Sequence, residues 1–271
     1  MAVSLGKNWK LEPPLGTAER WALDYIRGED LEAKLRPGRP PMRFEEEAVP
    51  RRVEGPGRPA CLEVRAKVPR SLRPGALRSP EQRRRLLHTF LHHEMQAAEL
   101  FCWAFLAFPE APERFRLGLL AICLEECAHM RLYEAELRAR GGWVGEFPVR
   151  DWFWERIPTC RTALSFVSLM GLGLEGANLD HAARFAGIFR EHGDESGARV
   201  QEKVGRDEIR HVRFAAKWFR DFGGRLDFDA WAGELPAPLT PRMLRGRPLN
   251  RGARGAAGLP PEFLDALEGY E

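Results

Sequence analysis

Cysteine is scarce in this chain: five in 271 residues, Cys61, Cys102, Cys123, Cys127 and Cys160, with no CxxC pair. The odd count argues against a disulfide framework, and the missing CxxC argues against a thiolate zinc or cluster site, so free, mostly buried thiols are expected. No run approaches the ~20 consecutive apolar residues of a membrane-spanning helix, and no membrane partner is expected. The opening stretch MAVSLGKNWKLEPPLG has no apolar region after its positive charges, so no secretory signal is read and a cytoplasmic location is expected. Net charge is low, +3, which is too weak to imply nucleic-acid binding, although the basic residues are overwhelmingly arginine and suit phosphate and carboxylate recognition.

What is present is the composition of a globular protein, 44% hydrophobic and 30% charged. The length allows one large domain with decorated ends. Residues 1–79 are rich in Pro, Gly and Arg and read as an extended arm with one short helix around Ala18 to Leu35. Ser79-Pro80-Glu81 then gives an N-cap, a proline at the first helical position and an early acid. Leu86, Leu87, Phe90, Leu91, Ala97, Ala98, Phe101 and Phe105 recur at three- and four-residue steps up to Pro109. A second helix opens near Pro112-Glu113 and stops at Gly141-Gly142, so the two form an antiparallel hairpin. Trp143 to Cys160 is too irregular for a helix and reads as a crossover. A third helix from about Thr162 to His192 and a fourth from about Glu195 to Phe222 complete the pattern. The expectation is an all-α, ferritin-like four-helix bundle over 80–222, two antiparallel hairpins with a long crossover. Residues 223–271 are expected to form an irregular arm packing on it.

E-x-x-H occurs twice, as Glu126-Cys127-Ala128-His129 and as Glu208-Ile209-Arg210-His211. Three residues correspond to about 300° of turn and about 4.5 Å of rise, so each Glu and His project as neighbours. Glu94 precedes Glu126 by 32 residues and Glu175 precedes Glu208 by 33. The chain therefore repeats one pattern, E then E-x-x-H, in two hairpins, the arrangement by which helical bundles hold two metals. These carboxylates also lie on apolar stripes, Glu175 in the least polar window of all, LMGLGLEGANL. Burying four carboxylates without partners costs several kcal/mol each, and two divalent cations would balance them.

Glu94, Glu126, His129, Glu175, Glu208 and His211 are therefore the candidate ligands, Glu126 and Glu208 bridging and Glu94 and Glu175 terminal. Carboxylate and imidazole donors without thiolate suit iron or manganese, with zinc possible, better than copper or a cluster; iron is the leading expectation, with manganese or a mixed Mn/Fe pair as alternatives. No organic cofactor is implied. Glu125 and Asp207, each directly before a motif, are read as acceptors that orient the imidazoles, Asp207 for His129 and Glu125 for His211. His92, His93 and Glu99 fall off the Glu94 face and are left outside the ligand set. Asp180, His181 and Tyr133 are left open.

At these residues the sequence resembles a bacterial ferritin-like family, domain of unknown function 455. The matching stretches are LLHTFLHHEMQAAEL, EECAHMRLYEAELRARGG, FPVRDWFWE, LEGANLD, GRDEIRHVRFAAKWF and the tail PLTPRMLRGRPLNRGARGAAGL, covering most of the chain from about Pro56. The resemblance implies a ferritin-like fold with metal ligands at the same six positions, and it names no substrate. A more distant similarity to tRNA-modifying di-iron monooxygenases rests on fold and ligand pattern.

The function expected is a di-iron carboxylate oxidoreductase that activates dioxygen to hydroxylate or desaturate an unidentified small-molecule or RNA substrate, supplied by an electron donor. No catalytic residue beyond the metal centre is read. The alternatives are a ferroxidase or iron-handling protein, a non-catalytic metal-binding or RNA-binding scaffold, and a tRNA-modifying hydroxylase. The long arms favour a monomer or dimer over a storage cage.

Overall fold

A computed structural model describes residues 12–68 and 77–271. Of the N-terminal arm expected over 1–79, the stretches 1–11 and 69–76 lie outside the described residues. Among the described residues the structure is all-helical and has no β-strand; one isolated parallel bridge joins Val64 to Val149. No described helix is long and apolar enough to cross a membrane.

Apolar residues at helical spacing form four long rods. α3 spans Pro80–Ala107, with Ser79 as its extended N-cap, although the serine side chain makes no capping bond and Pro80 supplies the start. α4 spans Glu113–Ala139 and ends before Gly141, whose φ of +70° suits a residue without Cβ. α3 and α4 pack along each other as a hairpin. After turns and a 3-10 turn at Ile157–Thr159, the third rod begins at α5, Ala163–Phe166, under a Thr162/Ser165 capping box. It continues as a π-helical segment, Val167–Glu175, then as α6, Gly176–Glu191, which pairs with α7, Glu195–Gly223.

The third rod is thus not the uniform α-helix its periodicity suggests. Three glycines in Met170 to Gly176 weaken the α-helical preference, and the Gly176 N–H reaches back to Gly171 O, closing the wider turn. At Gly171 a Cβ would lie 2.2 Å from that of Ala215, so glycine there lets the π segment approach α7 closely.

The arms also differ from expectation. The N-terminal helix is two helices, α1 (Ala18–Arg27) and α2 (Leu31–Leu35), because the chain is extended at Gly28 and restarts at Asp30, which caps Ala33 N. They lie on α3 and α4 respectively. The C-terminal arm is not irregular throughout: it carries α8 (Phe228–Gly233), α9 (Arg251–Ala256) and α10 (Pro261–Gly269). Its attachment is polar at two points. Buried Trp231 donates from Nε1 to Ser168 O of the π segment at 2.9 Å. Asp180, left open by the sequence, accepts from Arg254 at 2.8 and 3.1 Å and from the Gly246 and Asn250 N–H groups at 2.7 Å each. It anchors the arm to α6.

His88 of α3 tethers the crossover, accepting the Gly145 N–H at Nε2, 2.8 Å. Burial, aided by His92 and Arg85, lowers its pKa from 6.5 to about 4. The unfolded chain therefore takes up a proton near pH 6.5 that the folded chain refuses until about pH 4, so stability present above 6.5 is lost as pH falls. Between pH 7.5 and pH 5 the wild type should lose about 2 kcal/mol relative to His88→Gln in urea unfolding. Parallel pH profiles for the two proteins would contradict this.

Candidate metal centre

Each rod contributes one face to a common interior. Three-residue spacing on α4 brings His129 Nδ1 to 3.1 Å from Glu126 Oε2, and on α7 it brings His211 Nδ1 to 2.9 Å from Glu208 Oε2. Glu94 enters from α3, with Oε2 3.6 Å from His129 Nδ1, and Glu175 from the last residue of the π segment. All six side chains are buried: Glu126 and Glu208 are 0% exposed, His129 1%, His211 2%, Glu94 and Glu175 4%.

Their donor atoms fall into two groups. In one, atoms of Glu94, Glu126, His129 and Glu208 lie within 4.8 Å of one another; in the other, atoms of Glu126, Glu175, Glu208 and His211 do. Glu126 and Glu208 belong to both. His211 Nδ1 lies 2.9 Å from Glu126 Oε1 as well as from Glu208, and the two imidazole rings are 5.8 Å apart. Each group has the donors, the size and the burial to hold a metal ion.

The two imidazoles are oriented from outside. His211 Nε2 lies 2.9 Å from Glu125 Oε2 and His129 Nε2 lies 3.5 Å from Asp207 Oδ2, the pairings expected from the sequence. Glu125 in turn accepts from Arg210 at 3.0 Å, and Asp207 from Lys203. Hydrogen bonding to His129 holds the Asp207 carboxyl below its ordinary range, and hydrogen bonding to His211 does the same for Glu125. Both outer acceptors are therefore anionic, which favours a proton on each Nε2 and makes Nδ1 the nitrogen that faces the carboxylates.

Inside, the charges conflict. Burial, and then the charge of Glu126, pushes Glu94 well above the ordinary carboxyl range; burial and Glu208 do the same to Glu175. Burial also opposes charge on Glu126, but His211 and His129 outweigh it and hold that carboxyl below its usual range. For His129 and His211, burial disfavours the cation, yet Asp207 and Glu126 for the first, and Glu208 and Glu126 for the second, raise both well above the ordinary imidazole. The protein alone thus draws protons into the space between its carboxylates. Buried Glu126 Oε1 makes no well-aligned hydrogen bond among the described residues, although His211 Nδ1 lies 2.9 Å away. A buried oxygen of this kind, on a glutamate common to both donor groups, fits a cation.

The family model described as protein of unknown function (DUF455) matches residues 18–265. The chain belongs to that family. No curated protein and no solved structure matches it. The DUF455 match runs from the first residue of α1 into α10 and encloses every residue of the centre.

Of the side chains that the sequence left open, Tyr133 accepts from Gln201 at 3.1 Å and packs on Phe90, while His181 lines a neighbouring cavity. His92 and His93 line the same cavity, and His92 Nε2 meets Asp151 at 3.1 Å. Glu99 is neutralised away from the centre by Lys34 at 2.8 Å and Arg58 at 2.5 Å. Trp154 Nε1 also donates to it at 2.8 Å. Sequence reasoning missed Asn178, whose Nδ2 donates to Glu208 Oε1 at 3.2 Å. Its signal was available, three residues after Glu175 and so on the same face.

The DUF455 cavity has a volume of about 820 Å³ and runs from exposed Thr89 and Met243 down to Glu94 and Glu175. Its wall combines α3 and α6 with crossover residues Trp152 and Phe153, and with Met243 of the C-terminal arm.

Asp207→Asn and Glu125→Gln should each lower metal affinity ~10- to 100-fold while leaving helix content unchanged. Competitive titration against a chromophoric chelator measures this. Wild-type affinity in both variants would show that the outer acceptors do not orient the imidazoles.

Proposed function

We propose that this DUF455 protein is a ferritin-like four-helix bundle over residues 80–222 that holds two metal ions, most suitably iron, and acts as a dioxygen-activating oxidoreductase. Glu94, Glu126, His129, Glu175, Glu208 and His211 would be the ligands, with Glu126 and Glu208 bridging. The observation that carries the reading is that these two glutamates alone belong to both donor groups, and Glu126 Oε1 is buried with no well-aligned hydrogen bond. Donors without thiolate suit iron or manganese. Bound there, two iron ions would supply the activation of dioxygen for oxidising an organic substrate.

The chain's own residues do the rest. Asp207 and Glu125 keep a proton on the outer nitrogen of each imidazole, so that the inner nitrogen is free to donate. Asn178 fixes one oxygen of Glu208. Burial of the six side chains, none more than 4% exposed, strengthens the electrostatic interactions among them. The cavity supports an organic substrate over iron storage, because a space of this size ending at Glu94 and Glu175 is that of a ligand pocket. With an electron donor as partner, a cytoplasmic monomer or dimer is the form in which this site would work.

The test is oxygen uptake by protein loaded anaerobically with Fe(II). Uptake faster than that of free Fe(II), ending after one round without reductant and lost in Glu126→Ala, is the expected result. Uptake that continues in proportion to added Fe(II) would instead identify an iron-handling protein.

A further inference from the structure

The cavity that ends at Glu94 and Glu175 has a chemistry of its own at the opposite end. Three arginines line it, Arg85, Arg150 and Arg184, and they differ in how far their charges are already matched. Arg150 is committed to Glu155 through two contacts, 2.8 and 2.7 Å. Arg85 reaches only Glu81, at 3.5 Å, and its guanidinium lies over the Phe147 ring at 4.3 Å. Arg184 is exposed and forms no ion pair with a carboxylate among the described residues; it lies over Phe185 at 5.6 Å. Two guanidinium groups thus stand at one cavity with their capacity for bidentate anion recognition largely unused.

Their positions are set by register. Phe90 of α3 meets Phe185 of α6 edge to face at 5.3 Å, so residues before Glu94 on one rod lie beside residues after Glu175 on the other. Arg85 is nine residues before Glu94 and Arg184 nine residues after Glu175. At 1.5 Å per helical residue, both arginines stand roughly 13 Å along the rods from the carboxylates. The wall carries Phe90, Trp152, Phe153, Leu174 and Phe185, with the imidazoles of His92, His93 and His181 among them. A ligand that satisfies this wall has an apolar body and one negative end. Its charged end gains from the guanidinium groups and water at the mouth.

We propose that the cavity binds a small organic anion with an apolar, ring-sized body, its charged end held by Arg184 and Arg85 and its apolar end against Glu94 and Glu175. That this anion is the substrate rests on the di-metal reading above, and the carbon presented for oxidation is then the one farthest from the charge. Binding itself is independent of that reading.

The probe is anilinonaphthalene sulfonate, compared with neutral phenylnaphthylamine, titrated by fluorescence into metal-loaded full-length protein. Saturable binding of both dyes is expected. Arg184→Gln should weaken the sulfonate about tenfold and the neutral dye less than twofold, while Arg184→Lys keeps most of the sulfonate affinity. Thr89→Trp, at the exposed mouth, should weaken both dyes. Displacement by an aryl carboxylate or an aryl phosphate names the head group, and displacement by neither counts against the proposal. Equal effects of Arg184→Gln on the two dyes, or full binding in Thr89→Trp, would overturn it. Metal content measured on the same samples separates the two failures: these dye results with metal retained sink only the anion site, whereas metal unchanged in Glu126→Ala sinks only the centre.

Discussion

Alanine at Glu126 or at Glu208 should remove both metals, from about two per chain to near zero, whereas alanine at Glu94 or at Glu175 should leave about one. The contrast follows from membership. Glu126 and Glu208 supply oxygens to both donor groups, so deleting either breaks both. Glu94 belongs only to the group with His129, and Glu175 only to the group with His211, so each deletion spares the other group. Elemental analysis of protein from iron-supplemented cells gives the counts, and circular dichroism controls for folding. Because a truncated buried glutamate also leaves a small void, Glu126→Gln is the companion variant: it keeps volume and removes charge, and its metal content should fall similarly. Equal losses at all four glutamates would contradict the shared-carboxylate reading, and no loss at any would contradict the centre itself.

Chelation should cost the protein about 4 kcal/mol for each metal site, about 8 kcal/mol for two, a fall in Tm of roughly 20 °C, if metals are present at a thousandfold excess over their dissociation constants. The physical source is the conflict inside the bundle. Four carboxylates and two imidazoles are enclosed with no lysine or arginine among them, and burial drives Glu94 and Glu175 to hold protons. Cations substitute for those protons, so loading should also release protons to a weakly buffered solution. Scanning calorimetry before and after chelation, with metal restored as the reversal, measures the stability; a pH electrode or indicator dye measures the release. Identical Tm in both states and no proton release would show that the acid cluster is satisfied by the protein alone.

The helices and the six candidate ligands were legible because both obey short-range rules. The i, i+3 spacing in Glu126 to His129 and in Glu208 to His211 dictates proximity whatever the tertiary structure, and the matching intervals from Glu94 and Glu175 follow from two hairpins of similar length. The pairing of Asp207 with His129 and of Glu125 with His211 was legible for a related reason: each acid precedes a motif and faces the neighbouring helix. The π segment was not legible, since nearly every residue of Val167–Glu175 is buried and an all-round apolar stretch carries no period that separates a π turn from an α turn. The glycines at 171, 173 and 176 were its trace.

Partners distant in sequence were hidden altogether. Nothing near Glu99 announces Lys34, Arg58 or Trp154, and nothing near Asp180 announces Arg254. Both acids are buried and serve to fasten the arms. The C-terminal helices were obscured by composition, because short helices such as Arg251–Ala256 persist through tertiary contacts rather than through their own Gly- and Arg-rich sequence.

The account as a whole stands on cations between Glu126 and Glu208. Anomalous diffraction at the iron edge, from crystals of protein loaded with Fe(II), tests this most directly. Two peaks about 3.5–4 Å apart, flanked by Glu126 and Glu208 and each near one imidazole Nδ1, are expected. A loaded crystal with no anomalous peak among these six side chains, or with hydrogen-bonded water in their place, would contradict it.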